Sequence, residues 1–599
     1  MTRVIRDAGH ARYDAIGATD AASGASPGAR AGTRQFAAVW ERPALVLAAA
    51  VVARLALAAL SLHLGFVEYN ADGFTRVIHG FEWLQSPHWE VGVWLPLQFW
   101  LLGGVLALWR NLYAAPKLLA TVAGLATMAN LYLIARGLAG RRPAALAALL
   151  AATFPFEVWF SVSGMSEPLF YALLSGAAAG LVWWWLRGRT LPLAVGSVAL
   201  CAATAVRYEA WFYAVVYAAL VLGIAWRQGR LGPAVIVLAG VPFVFAALWV
   251  EQSAAVFGDP LAFAHQTAAI KAALAPRNAT AGLARRLTSF PLATFRTSRV
   301  LITLEAAAVV WLAATRWRRW WPYLALVLGE AVLLVAVSAA FTNLGPSNEL
   351  YLMSNVVLLL PVLAAATVDL WERHRAGRVV AGLAVLLLAA SFARDLAHPP
   401  TAYPDPAARA LGSFLRRELA APDALGRTMV PVLVPQPPVD AYNASYALRI
   451  LSGHPDAVTI VDQPVQLDAD VASGRARLWV VDTLTGAALP PSLRTERIDR
   501  YVVGWPPPLA RAAVRPGTAR PGGTLDASGG SFQAGEPVFA WLTAPDGHVV
   551  ALPAARADGS GNVVLTVPVP AGAAPGTWAL TLSGGTSHRQ GIARFQVAP

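Results

Sequence analysis

Residues 44–64 of this 599-residue chain read ALVLAAAVVARLALAALSLHL, and the loop GFVEYNADGFTR follows at 65–76. An α-helix needs a run of about 20 apolar residues to cross the hydrocarbon core of a bilayer. This run is longer than the core of a typical signal peptide, and no compelling small-residue cleavage site follows it. The stretch therefore predicts an uncleaved membrane anchor.

Similar apolar runs recur along the chain, which is 57% hydrophobic and 14% charged. That composition is too apolar for a soluble protein of this length. We predict an α-helical polytopic membrane protein with about eleven crossings. They lie at 44–64, 115–138, 143–160, 168–186, 191–206, 209–226, 232–250, 299–315, 321–341, 349–370 and 379–393.

Arginine clusters set the predicted orientation, because cytoplasmic loops of membrane proteins carry an excess of positive charge. Five clusters close apolar runs: Arg141 with Arg142, Arg187 with Arg189, Arg227 with Arg230, Arg316 with Arg318 and Arg319, and Arg373 with Arg375 and Arg378. Placing all five in the cytoplasm makes segment 94–109 a shallow or re-entrant helix. It also gives a cytoplasmic N-terminus and an extracytoplasmic C-terminus. The net charge of +13 then reflects topology and does not point to nucleic acid.

The composition divides the chain into four regions. Residues 1–42 are polar and aperiodic, which predicts a disordered cytoplasmic tail, and 43–393 form the membrane domain. Residues 394–510 read as an extracytoplasmic α/β domain. Residues 511–599 alternate apolar and polar positions between frequent turns, which predicts an immunoglobulin-like β-sandwich. Cys201 is the single cysteine, and the scarcity of lysine beside arginine indicates a GC-rich, bacterial genome.

The predicted outer loops contain acids, and each has two interpretations. Asp72 is placed to act as a general base or a metal ligand, but N-A-D-G is also ordinary turn chemistry. Glu167 stands just before Pro168, where it could merely complement a helix dipole. Arg207 and Glu209 lie between two apolar runs; they form either a structural ion pair or a functional one, since ionisable groups at membrane depth usually serve function.

Four motifs follow Asp72 in order on the predicted outer side: WLPL at 94–97, SGMSEPLF at 163–170, VRYEAW at 206–211 and FGDPLAF at 257–263. With the first outer loop, they make residues 44–370 resemble the GT-C superfamily of membrane glycosyltransferases, in particular its mannosyltransferase branch. No single motif is specific, whereas four in this order are fairly specific.

The resemblance implies transfer of a hexose, mannose by its branch, from a polyprenyl-phosphate carrier to a glycan, lipid or protein acceptor. The reaction would invert C1 at the outer face of the cytoplasmic (inner) membrane. Asp72 is assigned as base and Arg207 as first choice for the lipid phosphate, with Glu209 orienting it. The remaining candidate substrate-binding residues are Glu167, Asp259, His265, Lys117, Arg76 and Tyr351.

The sequence departs from the superfamily pattern in two places. Many relatives have two close acids in the first loop, whereas Gly73 follows Asp72 here. One carboxylate rarely suffices to hold Mg²⁺ or Mn²⁺, so we predict no metal ligands and no cofactor. Leu350 and Tyr351 stand where relatives often have an Arg-Tyr pair, which leaves Arg207, Lys117 or Arg76 to contact the phosphate.

Two other functions compete with the transferase. A polytopic lipid or glycan transporter would use the buried charges to gate passage, although we detect no internal repeat of the kind common in transporters. A scaffold that merely presents the β-sandwich would leave Arg207 and Glu209 at membrane depth without a reason.

Overall fold

The computed structural model describes residues 42–89, 93–274, 282–341, 348–373, 375–420, 432–435, 442–461, 478–483, 494–505 and 510–598. The predicted disordered tail lies outside the described residues, apart from residue 42. The helices of the membrane domain are α1 Pro43–His63, α2 Ala71–Gln85, α3 Leu97–Leu108, α4 Ala114–Ala139, α5 Arg141–Thr153, α6 Pro155–Phe160, α7 Glu167–Arg187, α8 Thr190–Thr204, α9 Glu209–Arg227, α10 Pro233–Gly240, α11 Val244–Phe257, α12 Ala262–Leu274, α13 Leu283–Thr297, α14 Arg299–Phe341, α15 Met353–Arg373 and α16 Arg375–Ala397. Short 3₁₀ turns at Val241–Phe243 and Asn348–Leu352 link neighbouring helices.

The predicted class, a polytopic helical membrane protein with a C-terminal β-sandwich, is confirmed. In the described ranges, eight helices are long and apolar enough to cross a membrane, and two shorter apolar helices are α3 and α8. Their shared core is dominated by alanine and aromatic side chains, because small residues let the helix backbones approach closely.

Two predicted spans differ from the structure. Span 143–160 is two helices, because Phe154 adopts an extended conformation before Pro155, as residues preceding proline commonly do. Spans 299–315 and 321–341, by contrast, are confirmed as separate segments, because the run α14 consists of two helices that meet at a kink with non-helical geometry at Arg316. The last span runs from Arg375 to Ala397, so the predicted domain boundary at 394 falls inside a helix.

The arginine clusters gather at one end of the bundle, which we call the arginine end. Arg142 donates to Glu372 over 2.9 Å, and the Asp369 carboxylate accepts from both Arg316 and Arg373. Glu167 and Glu209 begin α7 and α9, and Arg187 and Arg227 end the same helices. These acids therefore lie at the opposite end, here called the acidic end, about 30 Å away for a 20-residue helix.

The α/β domain follows α16. Its helices are α17 Pro406–Leu419 and α18 Tyr442–Leu451, and its strands are β1 Val432–Pro435, β2 Val458–Val461, β3 Leu478–Asp482, β4 Arg494–Ile498 and β5 Tyr501–Trp505. The sheet order is β2-β1-β3-β5-β4, parallel among the first three strands and antiparallel beyond β3. Asp405 caps α17 by accepting a bond of 2.7 Å from the Ala408 N–H.

A β-sandwich ends the chain. Its strands are β6 Arg511–Arg515, β7 Thr518–Ala519, β8 Thr524–Gly530, β9 Pro537–Thr543, β10 Val549–Arg556, β11 Val563–Pro568, β12 Gly576–Gly584 and β13 Gln590–Val597. One sheet has the order β10-β9-β12-β13-β7, and the other β11-β8-β6. Alternate residues of β8 and β9 face a core of their own, as packed sheets require.

Candidate functional site at the acidic end

Three helices place acids in their first turns at the acidic end. Asp72 is in the first turn of α2, Glu167 begins α7 and Glu209 begins α9. The unpaired N–H groups of a helix N-terminus carry partial positive charge and stabilise nearby carboxylates. Glu167 can therefore both stabilise the N-terminus of α7 and take part in a functional site, because all three acids lie in one cluster of charges.

Asp72 has the fewest hydrogen bonds and ion pairs of the carboxylates in this cluster. Asn70 caps α2 by accepting a bond of 2.9 Å from the Asp72 N–H, which fixes the backbone. The Asp72 carboxylate itself has no hydrogen bond or ion pair to any described residue. Burial raises the pKa of this carboxyl, and Arg76 opposes the rise. A half-buried carboxylate without a fixed partner can accept a proton from a bound molecule.

Arg76 lies one turn after Asp72 on the same face of α2. Its Nη1 donates to Gln98 over 3.0 Å, and Gln98 in turn donates to the carbonyls of Gly164 and Met165. The guanidinium stacks on Trp94, 4.1 Å from the ring centroid. Its Nε is buried without a hydrogen-bond partner in the described structure, and burial lowers the pKa of Arg76 to about 10.

Arg207 is fully engaged by protein oxygens. Its Nε and Nη2 donate to Glu209 over 3.1 and 2.6 Å, and its Nη1 donates to Glu167 and to the Ser166 hydroxyl. Burial opposes its charge, but both carboxylates raise its pKa. Arg207 is thus a fixed cation that joins α7 to α9. We predicted that Arg207 would bind the lipid phosphate, but its N–H groups are already bonded to two carboxylates. Arg207, Glu167 and Glu209 together carry a net negative charge, which would repel a phosphate.

The sequence analysis missed a second carboxylate in the first loop, that of Glu68. It is 3% exposed, and it accepts from the N–H groups of Gly164 and Tyr69 over 2.7 and 2.9 Å. Burial raises the pKa of Glu68 to about 7, although Lys117 opposes the rise. A Cβ at Gly73 would overlap this carboxyl group. Gly73, which stands where many relatives have a second acid, therefore makes room for Glu68, five residues upstream.

Gln98 and Arg54 are the other important side chains that sequence reasoning missed. Arg54 is fully buried in α1 and pairs with Glu157 over 3.2 Å. The signal was an arginine in the middle of an apolar run. Gln98 stands out less, as one amide in the apolar segment LQFWLLGG.

The remaining predicted residues are outside the central cluster. Asp259 accepts a hydrogen bond from the Leu261 N–H just before α12 and pairs with His265 over 2.7 Å at the surface. Neither residue contacts the charges around Arg207 in the described structure, although Phe263 stacks on Tyr208 at 5.0 Å. The FGDPLAF segment therefore contacts the site through the ring of Phe263. A role for Asp259 or His265 in substrate binding stays a prediction.

Lys117 and Tyr351 also make structural contacts. Lys117 donates to the carbonyls of Val67 and Val162 over 3.0 and 2.6 Å, so it holds the first loop close to Glu68. Tyr351 stacks on Phe290 with 4.6 Å between ring centroids. Their roles in substrate binding stay predictions.

The carboxylates of the cluster do not suit a divalent metal. Glu68 is bound to two N–H groups and faces Lys117, while Glu167 and Glu209 are paired with Arg207. In the ranges that the structure describes, no group of three or more His, Cys, Asp or Glu side chains is arranged to hold a metal ion. We therefore derive no step through a metal.

Fold and site together define a polytopic α-helical membrane protein with a buried cluster of ionisable groups at one end of its bundle. Residues 510–597 match the family model of the macroglobulin-like domain, which is the β-sandwich. Comparison with curated protein sequences gives no match.

Solved structures that match the chain include an oligosaccharyltransferase and ArnT. The archaeal oligosaccharyltransferase AglB from Archaeoglobus fulgidus, solved with an inhibitory peptide and a dolichol-phosphate, is 10% identical, with 92% of this chain and 99% of that chain covered and a TM-score of 0.44. ArnT from Cupriavidus metallidurans in the apo state is 14% identical, with 75% and 97% covered and a TM-score of 0.45. At these identities the likeness concerns the fold alone. Function has to be argued from the residues of the site.

Proposed function

We propose that this protein is a membrane glycosyltransferase that moves a sugar from a polyprenyl-phosphate carrier to an acceptor hydroxyl at the acidic end. That end is proposed to face outward from the cytoplasmic membrane, because the arginine clusters gather at the other end. The sugar is a hexose, mannose by the sequence resemblance, and the acceptor is a glycan, lipid or protein.

The unpaired carboxylate of Asp72 is the observation that carries this proposal. The other acids of the cluster already have partners. Glu167 and Glu209 accept hydrogen bonds from Arg207, and Glu68 accepts from backbone N–H groups. Asp72 alone among these four has no partner in the described residues, and burial raises its pKa. A base needs an open lone pair and a proton affinity above that of an exposed carboxylate, and Asp72 has both.

The reaction can be written on this geometry. The acceptor oxygen attacks C1 of the sugar, its proton passes to Asp72, and the bond from C1 to the phosphate oxygen breaks with its electron pair leaving on the lipid phosphate. In-line attack inverts C1. Arg76 is better placed than Arg207 to stabilise the leaving phosphate, because its Nε lacks a partner in the described structure and Asp72 is one turn away.

Substitution of Asp72 by Asn tests the proposal, because the amide keeps the shape of the side chain and removes the base. Purified protein is incubated with a panel of radiolabelled polyprenyl-phospho-sugars, and lipid-phosphate release is measured. We expect Asp72→Asn to bind donor normally and to lose transfer by on the order of 10²-fold or more. A matched control is Asp259→Asn, whose carboxylate lies outside the cluster. Full transfer by Asp72→Asn would remove Asp72 as the base.

Transport is the second candidate, and two intramembrane acids of α14 favour it. Glu305 is 1% exposed, and both of its carboxylate oxygens are buried without a hydrogen-bond partner in the described residues. Glu330 is also buried and accepts from Asn355 over 2.7 Å. Such groups often mark ion or proton paths. A transporter would move labelled lipid-linked sugar across proteoliposomes without forming a new glycosidic bond, and Glu305→Gln would stop it.

A further inference from the structure

A cavity of about 660 Å³ lies between the acidic end of the bundle and the α/β domain. Its volume falls within the range typical of small-molecule sites. The bundle contributes Val67 and residues 110–113, and the α/β domain contributes residues of α17 and α18 and the turn after α18. Four arginines line it: Arg110, Arg409, Arg416 and Arg449. No described residue in its wall is an aspartate or a glutamate.

The positive charges in this cavity are only partly compensated. Arg409 donates to the carbonyls of Pro404 and Gly65 over 2.7 and 3.3 Å, and Arg416 donates twice to the Leu451 carbonyl, over 3.0 and 2.8 Å. Carbonyl oxygens orient a guanidinium but carry no net charge to neutralise it.

Carboxylates reach the other two arginines from outside the cavity wall. Arg449 pairs with Glu82 at 2.7 Å, and Arg110 is 3.9 Å from Asp456. Four arginines therefore surround one cavity, and two of them, Arg409 and Arg416, form no ion pair with a carboxylate of the described residues. Guanidinium groups of this kind recognise phosphate and carboxylate groups.

The cavity adjoins the proposed catalytic cluster. Val67 lines the cavity, its carbonyl accepts from Lys117 over 3.0 Å, and the next residue is Glu68. Tyr113 lines the cavity as well, and its ring lies 4.6 Å from the Lys117 ammonium. The cavity therefore borders the loop residue that precedes Glu68.

We propose that this arginine cavity binds a sugar that carries phosphate or carboxylate groups, as the anionic part of the acceptor. The assignment as acceptor rests on the proposed transferase function, whereas anion binding does not. The arginines would hold the charged part of the molecule at the α/β domain and present its hydroxyl towards Asp72.

The test measures binding by the full chain in phosphatidylcholine nanodiscs, titrated calorimetrically with inorganic pyrophosphate and, separately, with digalacturonate. Ser413 lines the cavity and is exposed, so Ser413→Glu adds an anion without removing an arginine. Ser413→Gln is the matched control of equal size. We expect Ser413→Glu to weaken binding by about tenfold or more and Ser413→Gln to change it little. Raising the ionic strength should weaken binding by the wild type.

Two results would overturn the cavity proposal: neither probe binds the wild type, or Ser413→Glu binds as tightly as Ser413→Gln. Binding of one probe alone identifies which anion the cavity prefers. Asp72→Asn should bind both probes like the wild type. A fully active Asp72→Asn would refute the proposed base and leave these binding results standing, so the two proposals fail separately.

Discussion

The two ends of the membrane bundle hold arginine–carboxylate pairs that differ in exposure, although Asp369 at the arginine end is itself buried. At the arginine end, Arg142 and Glu372 pair with about half of each side chain exposed, at 53% and 49%. At the acidic end, Arg207 and Glu167 pair with 14% and 1% exposed. Exposed pairs contribute little to stability because water and salt screen them, whereas a buried charge is costly unless it keeps its partners.

This difference indicates what each end does. A row of screened charges at the arginine end is sufficient to orient helices in a membrane. Taking Glu167 and Glu209 almost completely out of water has a cost that orientation alone does not require. We interpret that cost as the consequence of building a preorganised site, in which fixed charges surround the one open carboxylate, Asp72.

Removal of the buried cation should give the largest effect on stability. Arg207→Met leaves Glu167 and Glu209 without their shared partner, and we expect a loss of about 3–5 kcal/mol in the free energy of unfolding. Denaturant titration in mixed micelles measures it. The triple variant with Glu167→Gln and Glu209→Gln should recover much of the loss. If Arg207→Met is as stable as the wild type, the acidic end is not an electrostatically coupled cluster.

Glu68 should make the stability of the acidic end depend on pH. Its pKa is raised from 4.5 to about 7 in the folded protein, so the folded state holds a proton that the unfolded state has lost. The stabilisation is complete below pH 4.5 and is lost as the pH rises towards 7, by up to about 3 kcal/mol. Unfolding titrations across this interval should show the slope in the wild type. Glu68→Gln should flatten it, and an unchanged slope would contradict the assignment.

Gly73 should not tolerate even a methyl group. Because the Glu68 carboxyl occupies the position of a Cβ at Gly73, we expect Gly73→Ala to cost about 1–3 kcal/mol. Gly104 of α3 is the matched control, since a Cβ there would meet nothing within 4 Å. Gly104→Ala should be neutral or stabilising, because alanine favours helices. Equal stability of the two variants would show that Glu68 does not lie against Gly73.

The arginine end should give the smallest effect. Arg142→Ala removes an exposed pair, and we expect a loss below about 1 kcal/mol that shrinks as salt is added. The same titration in mixed micelles measures it, at low and high salt. A loss as large as that of Arg207→Met would abolish the contrast between the ends.

Helices were largely predictable because the apolar runs are long and end at arginines. Each predicted crossing coincides with helical structure, and the errors concern continuity. Pro155 divides one span because the residue before a proline avoids the α conformation. The break in α14 at Arg316 was predictable, because Arg316 opens a cluster of arginines that closes an apolar run. The sequence could not show that Asp369, on another helix, binds Arg316.

Several candidate site residues proved to lie close together, whereas their roles in a reaction stay predictions. Asp72, Arg76, Glu167, Arg207 and Glu209 were all candidates, and the structure brings them to one end. Sequence spacing could not show that Arg207 donates a hydrogen bond to Glu167, 40 positions away. That pairing depends on how α7 packs beside the start of α9. Glu68 was overlooked because a second acid was sought after Asp72 and not before it.

The apolar packing of α18 against α2 has a consequence for how this protein could be divided. Ala447 and Ile450 of the α/β domain are buried in one cluster with Phe74, Val77 and Phe81 of the first loop, whereas the buried core of the β-sandwich draws only on residues 510–597. The β-sandwich could therefore be deleted or replaced by another domain without removing any residue from the buried core of the other domains. The α/β domain cannot be removed in the same way. Its deletion would expose a hydrophobic surface on α2, the helix that contains Asp72.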